Sequence, residues 1–84
     1  MNMDLAKRPF VLQMDVLSAS VINGNLILAL KHPANNGESS KIARQIVVDL
    51  TTVLYKAGWF EGIDLEELRT DYREAGIDFD AIGL

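Results

Sequence analysis

Apolar residues follow two rhythms along this chain, and the change falls near Pro33. Before it, in the run SASVINGNLILALKHP from Ser18 to Pro33, they flank a central Asn23-Gly24, and the arm Leu26 to Leu30 is apolar at every position. Asn-Gly between apolar residues is a strong hairpin signal, because a two-residue type I′ turn requires positive φ at both central positions. Residues whose numbers sum to 47 then face each other across the ribbon. One face carries Leu17, Ala19 and Val21 opposite Leu30, Leu28 and Leu26. The other, Val16, Ser18, Ser20 and Ile22 opposite Lys31, Ala29, Ile27 and Asn25, is half polar. A helix over residues 10–32 is the competing reading, since Leu and Ala are good helix formers and Pro9 can open a helix.

Beyond His32-Pro33 and a loop at residues 34–38, the period becomes helical. With Ser39 or Ser40 as cap, Ile42, Ile46, Val47, Leu50, Val53, Leu54 and Ala57 recur at spacings of three and four and define one broad apolar face. Gly58 suits the left-handed position after that helix, with Trp59 reaching back to Leu54. Asp64 followed by Glu67 is a capping box in carboxylate form, and Ile63 with Leu68 is its hydrophobic staple. Leu65, Leu68 and Tyr72 give the second helix a narrow stripe, and Gly76 ends it. Residues 77–84 interleave apolar side chains with Asp78 and Asp80.

These elements predict an α+β domain, a β-hairpin followed by two helices (ββαα), over residues 9–84 after a flexible N-terminus at residues 1–8. The alternative is an all-α helical bundle. A two-stranded ribbon is barely stable alone, and the long helix covers only one of its faces. The uncovered face and the two open edges therefore lead to completion by oligomerisation, most simply a two-fold homodimer.

Composition narrows the setting. The chain has 84 residues, 49% of them hydrophobic, which is ample for one folded domain. A domain of this size buries roughly 60–65% of the surface its unfolded chain exposes, so its stability is modest. There is no cysteine and no basic start followed by an apolar run, so the expectation is a cytoplasmic protein. The longest apolar run, Leu26 to Leu30, falls far short of the ~20 residues of a membrane helix. Net charge is −4, unevenly spread. Residues 1–58 hold six basic and four acidic groups, whereas residues 59–84 hold two basic and eight acidic groups. That balance disfavours nucleic acid and anionic membranes as partners and favours a protein with a basic surface.

Candidate chemistry is sparse. His32 is the sole histidine and has neither nucleophile nor orienting carboxylate beside it in sequence, so it reads as structural. Gly37, Ser39, Ser40, Lys41 and Arg44 form a helix N-terminus with two cations nearby, a candidate anion site. It lacks the second glycine and the GK[ST] ending of a P-loop, and capping explains it more simply. The acids around Glu66, Glu67 and Asp71 lack the pattern of a calcium loop and read as a solvated face able to dock on a basic partner. Two helices joined by a turn invite a DNA-binding reading, but the second opens Asp64-Leu65-Glu66-Glu67, the wrong sign for phosphates. Trp59, Phe60, Phe79, Ile82 and Leu84 are either core or interface anchors. No catalytic, cofactor-binding or metal-binding residue is assigned. The expectation is a non-enzymatic protein–protein interaction module: a small acidic adaptor, regulator or inhibitor, pairing with itself or with another protein. A small-ligand or anion-binding domain using residues 35–44 is the alternative, ahead of an enzyme based on His32.

Overall fold

Asp15 opens the first long helix. Its carboxylate accepts the Ser18 N–H at 2.7 Å, satisfying one of the orphan donors of a helix start. In the computed structural model, which describes residues 3–84, the chain from there on is helical. A short helix α1 (Met3–Ala6) and an irregular segment precede α2 (Val16–Leu30). Then come α3 (Glu38–Lys56), α4 (Leu65–Glu74) and a closing 3-10 turn (Phe79–Ile82). Met1 and Asn2, the first residues of the expected flexible N-terminus, lie outside the described residues.

The hairpin expectation is overturned, and the α+β class with it: no strand is present among the described residues. Asn23-Gly24 sits in the middle of α2 with negative φ at both positions, so the type I′ turn is not made. The stretch is apolar enough to satisfy either period. The helical one wins because Ala19, Asn23, Ile27 and Leu30 then form a single buried stripe against α3. The polar side chains of α2 are absorbed locally: Ser20 Oγ donates to Leu17 O at 2.6 Å and Asn25 Nδ2 to Val21 O at 2.9 Å.

α3 runs antiparallel to α2, placing Thr51 near Asn23 and Val47 near Ile27 and Leu30. Two details depart from the sequence reading. The N-cap is Gly37, so Ser39 and Ser40 lie inside the helix and Ser40 is buried. The core face is also rotated: Ser40, Val47, Thr51 and Leu54 are buried, while Ile42, Ile46 and Val53 are exposed. The rotation is tolerable because Thr51 has a hydrogen-bond partner in the core.

α3 and α4 end in the same way. Gly58 (φ +80°) and Gly76 (φ +78°) take the left-handed conformation. Trp59 N–H returns to Leu54 O and Gly58 N–H to Tyr55 O, both at 3.0 Å; Ile77 to Tyr72 O and Gly76 to Arg73 O do the same at 2.9 Å. This Schellman arrangement satisfies the last carbonyls and turns the chain sharply. Asp64 caps α4 by accepting the Glu66 N–H at 2.9 Å.

The core gathers around Tyr72, which α4 inserts against Ile27, Leu30 and Val47. Phe79 from the 3-10 turn meets its ring edge-on, centroids 5.1 Å apart. Burying a residue of this kind contributes about 1.5–3 kcal/mol, so these few side chains dominate the stability of a small domain.

Candidate functional site

Between α2 and α4 lies a cleft of about 380 Å³, closed at one end by the loop carrying Trp59, Phe60 and Ile63. At its floor Asn23 Nδ2 donates to Tyr72 Oη at 3.1 Å, and Tyr72 Oη shares a 2.6 Å hydrogen bond with Thr51 Oγ1. At its rim Lys31 Nζ pairs with Asp71 at 2.8 Å and Glu74 at 3.3 Å. The hydrogen bond to Asp71, ahead of the attraction of Glu74, raises the Lys31 ammonium above its ordinary value. Lys31 is therefore a fixed cation, the opposite of a lysine tuned for base chemistry.

His32 is turned away from this cleft's chemistry: its Nδ1 accepts the Ala34 N–H at 3.1 Å, steadying the turn after α2. Among the described residues, no three histidine or carboxylate side chains converge on a metal-binding geometry.

The anion-site residues are placed as follows. Lys41 Nζ bonds Glu38 at 2.9 Å. Arg44 donates to Ala75 O at 3.2 Å and Asn35 O at 3.3 Å, so its guanidinium ties the α2–α3 loop to the C-terminal end of α4. Such a cation at a helix C-terminus complements the dipole there. Gly37, Ser39 and Ser40 stand at the start of α3, Ser40 buried.

The interaction residues separate into two groups. Phe79 and Ile82 pack on the chain's own core, and Asp71 and Glu66 are held by Lys31 and Arg69. Arg69 also bonds Asp80 at 3.0 Å, pinning the 3-10 turn to α4; that hydrogen bond, then Glu66, raises its pKa. Trp59, Glu67 and Leu84 face solvent, and Phe60 is half-buried, its ring 6.5 Å from that of Tyr55.

The two most exposed large apolar side chains among the described residues were not among the sequence candidates. In the irregular segment before α2, Phe10 is 83% and Val11 92% exposed, with Leu12 beside them. Leu12 and Met14 border a groove formed with Val16, Ala19, Leu50, Val53 and Leu54. Leu17, Val21 and Leu28 add an exposed row along α2. The signal available in sequence was Asp15 as a helix cap, which would have begun a helix at Val16 in place of the ribbon and left Phe10-Val11-Leu12 outside it.

With this all-helical fold and these surfaces in hand, comparison with protein-family models, curated proteins and solved structures gives no match. No helix among the described residues is long and apolar enough to cross a membrane.

Proposed function

We propose that this chain is a non-enzymatic interaction module, a small acidic adaptor, regulator or inhibitor that binds another protein through the segment before α2. One observation carries the reading: Phe10, Val11 and Leu12 are consecutive, apolar and solvent-facing, while the core closes without them. Contiguous exposed apolar surface of this kind marks interaction sites. The occupant is a protein groove that takes the Phe10 ring as its anchor. Glu61, Glu67 and Asp78 are exposed and suit basic groups on a partner, which would make association salt-dependent. A chain with no cysteine is suited to a reducing compartment, and we place it in the cytoplasm.

The test replaces Phe10, Val11 and Leu12 together by serine and compares proteins retained by the wild type and the variant at low and high salt. The reading expects an unchanged melting temperature and loss of a salt-sensitive partner. A large drop in melting temperature, or identical retention by both chains, overturns it.

A further inference from the structure

The chain contains Asn-Gly twice, at Asn23-Gly24 and Asn36-Gly37, and the fold puts the two in opposite situations. In an Asn-Gly pair the backbone nitrogen can attack the asparagine side chain with the least hindrance, because glycine has no Cβ and leaves the local backbone free to adjust. The attack needs a carboxamide that can turn, a following N–H that is not hydrogen-bonded, and access for water. Asn23 lacks all three: it is 4% exposed, its Nδ2 donates to Tyr72 Oη at 3.1 Å, and Gly24 lies within the hydrogen-bond ladder of α2.

Asn36 has all three. It is exposed in the loop between α2 and α3, and among the described residues no hydrogen bond holds its side chain or the Gly37 N–H. Gly37 is extended (φ −87°, ψ −168°), and a Cβ added to it would meet no atom within 4 Å, so nothing crowds its nitrogen. As the N-cap of α3 that nitrogen also stands at the positive end of the helix dipole, which eases the loss of its proton. The neighbouring asparagines are tied down and precede no glycine: Asn35 Nδ2 donates to Ala29 O at 2.5 Å and Asn25 Nδ2 to Val21 O at 2.9 Å.

We propose that Asn36 is a site of spontaneous deamidation in the folded protein, with water as the only co-reactant, and that Asn23 is protected by the fold. The Gly37 nitrogen bonds to Asn36 Cγ, the Cγ–Nδ2 bond breaks, and ammonia leaves with the proton the amide gave up. Water then opens the five-membered imide. Addition at Cγ gives aspartate, and addition at the main-chain carbonyl gives isoaspartate, in which the chain runs through the side-chain carbon. Either product adds one negative charge to the present −4, beside the start of α3. Aspartate there complements the helix dipole. Isoaspartate lengthens the backbone next to Asn35, whose carbonyl accepts from Arg44 at 3.3 Å, and so loosens the tie from α3 to the α2–α3 loop. The site shares no residue with Phe10, Val11 and Leu12, and the two readings fail independently.

The test incubates the intact folded chain for weeks at neutral pH in heavy-oxygen water, returns it to ordinary water, and maps tryptic peptides by mass spectrometry. Modification during digestion then carries no label. Peptide 32–41 is expected to gain one labelled aspartate or isoaspartate at residue 36, at least tenfold faster than peptide 8–31 gains one at residue 23. In concentrated urea the two rates converge, because only the fold separates the sites. Asn36→Gln removes the signal from peptide 32–41, and Gly37→Ala slows it at least tenfold, with circular dichroism showing the helices retained in both. An unlabelled peptide 32–41, equal rates at residues 23 and 36 in the folded chain, a label on Asn35 instead, or a difference between the two sites that persists in urea overturns the inference.

Discussion

Asn23 and Tyr72, 49 residues apart, meet in the core, the carboxamide Nδ2 donating to the phenol oxygen at 3.1 Å. Thr51 Oγ1 lies 2.6 Å from the same oxygen, so one hydroxyl joins α2, α3 and α4. Tyr72 is 1% exposed, and removing its hydroxyl leaves two buried polar groups without their partner. Tyr72→Phe is expected to destabilise the fold by about 1–3 kcal/mol, read as a lower urea midpoint at unchanged slope. A midpoint equal to wild type would show that the network adds nothing to stability.

Gly76 combines φ +78° with a neighbour: a Cβ there would stand 3.0 Å from Arg44 Nε. Gly62 has nearly the same φ, +79°, with open space around it. Left-handed backbone costs a non-glycine residue about 1–2 kcal/mol. Gly62→Ala should show that loss alone, and Gly76→Ala a larger one, because Arg44 must give up Ala75 O. Parallel denaturation curves check the order, and equal losses would contradict it.

Phe79 and Leu84 lie five residues apart in the tail in different environments, Phe79 8% exposed and packed edge-on against Tyr72, Leu84 42% exposed. Phe79→Ala should cost about 3–5 kcal/mol. Leu84→Ala should stay within about 0.5 kcal/mol of wild type. Comparable losses for the two would mean the 3-10 turn is not the part that docks.

The Asp15 carboxyl is held below the usual aspartate range, chiefly by the Ser18 backbone N–H and then by its side chain. A depressed folded pKa means that the stabilisation is present above the unfolded value and is lost as pH falls through the folded one. Melting temperature should therefore decline on strong acidification, with a component that Asp15→Asn removes while still capping α2. Lys31 has the opposite sign. Its raised pKa, from Asp71 first, gives stabilisation that is complete below the ordinary lysine value and disappears above it. Lys31→Met should flatten the alkaline end of the curve. Identical pH profiles for wild type and both variants would rule out these linkages.

How far the sequence spoke depends on the kind of signal. Gly58, Gly76 and Asp64 mark helix ends through local stereochemistry, one backbone conformation or one carboxylate within reach of one amide, and those features appear where a local reading puts them. The helical period of residues 42–54 was equally legible, although not which side of it turns inward. Asn23-Gly24 shows the opposite case. Locally it favours a turn, yet the stripe Ala19, Asn23, Ile27 and Leu30 finds α3 to pack on, and burial along a whole helix outweighs the preference of two residues. The same holds at the surface. Composition shows that this chain carries more apolar side chains and more carboxylates than its small size can hide. Which of them remain outside was decided only when the helices packed: Phe79 and Ile82 went in, Asp71 and Arg44 were spent on internal ties, and Phe10, Val21 and Leu28 stayed in water. Local chemistry acts over a few residues and can be read in one dimension, whereas exposure depends on every element at once.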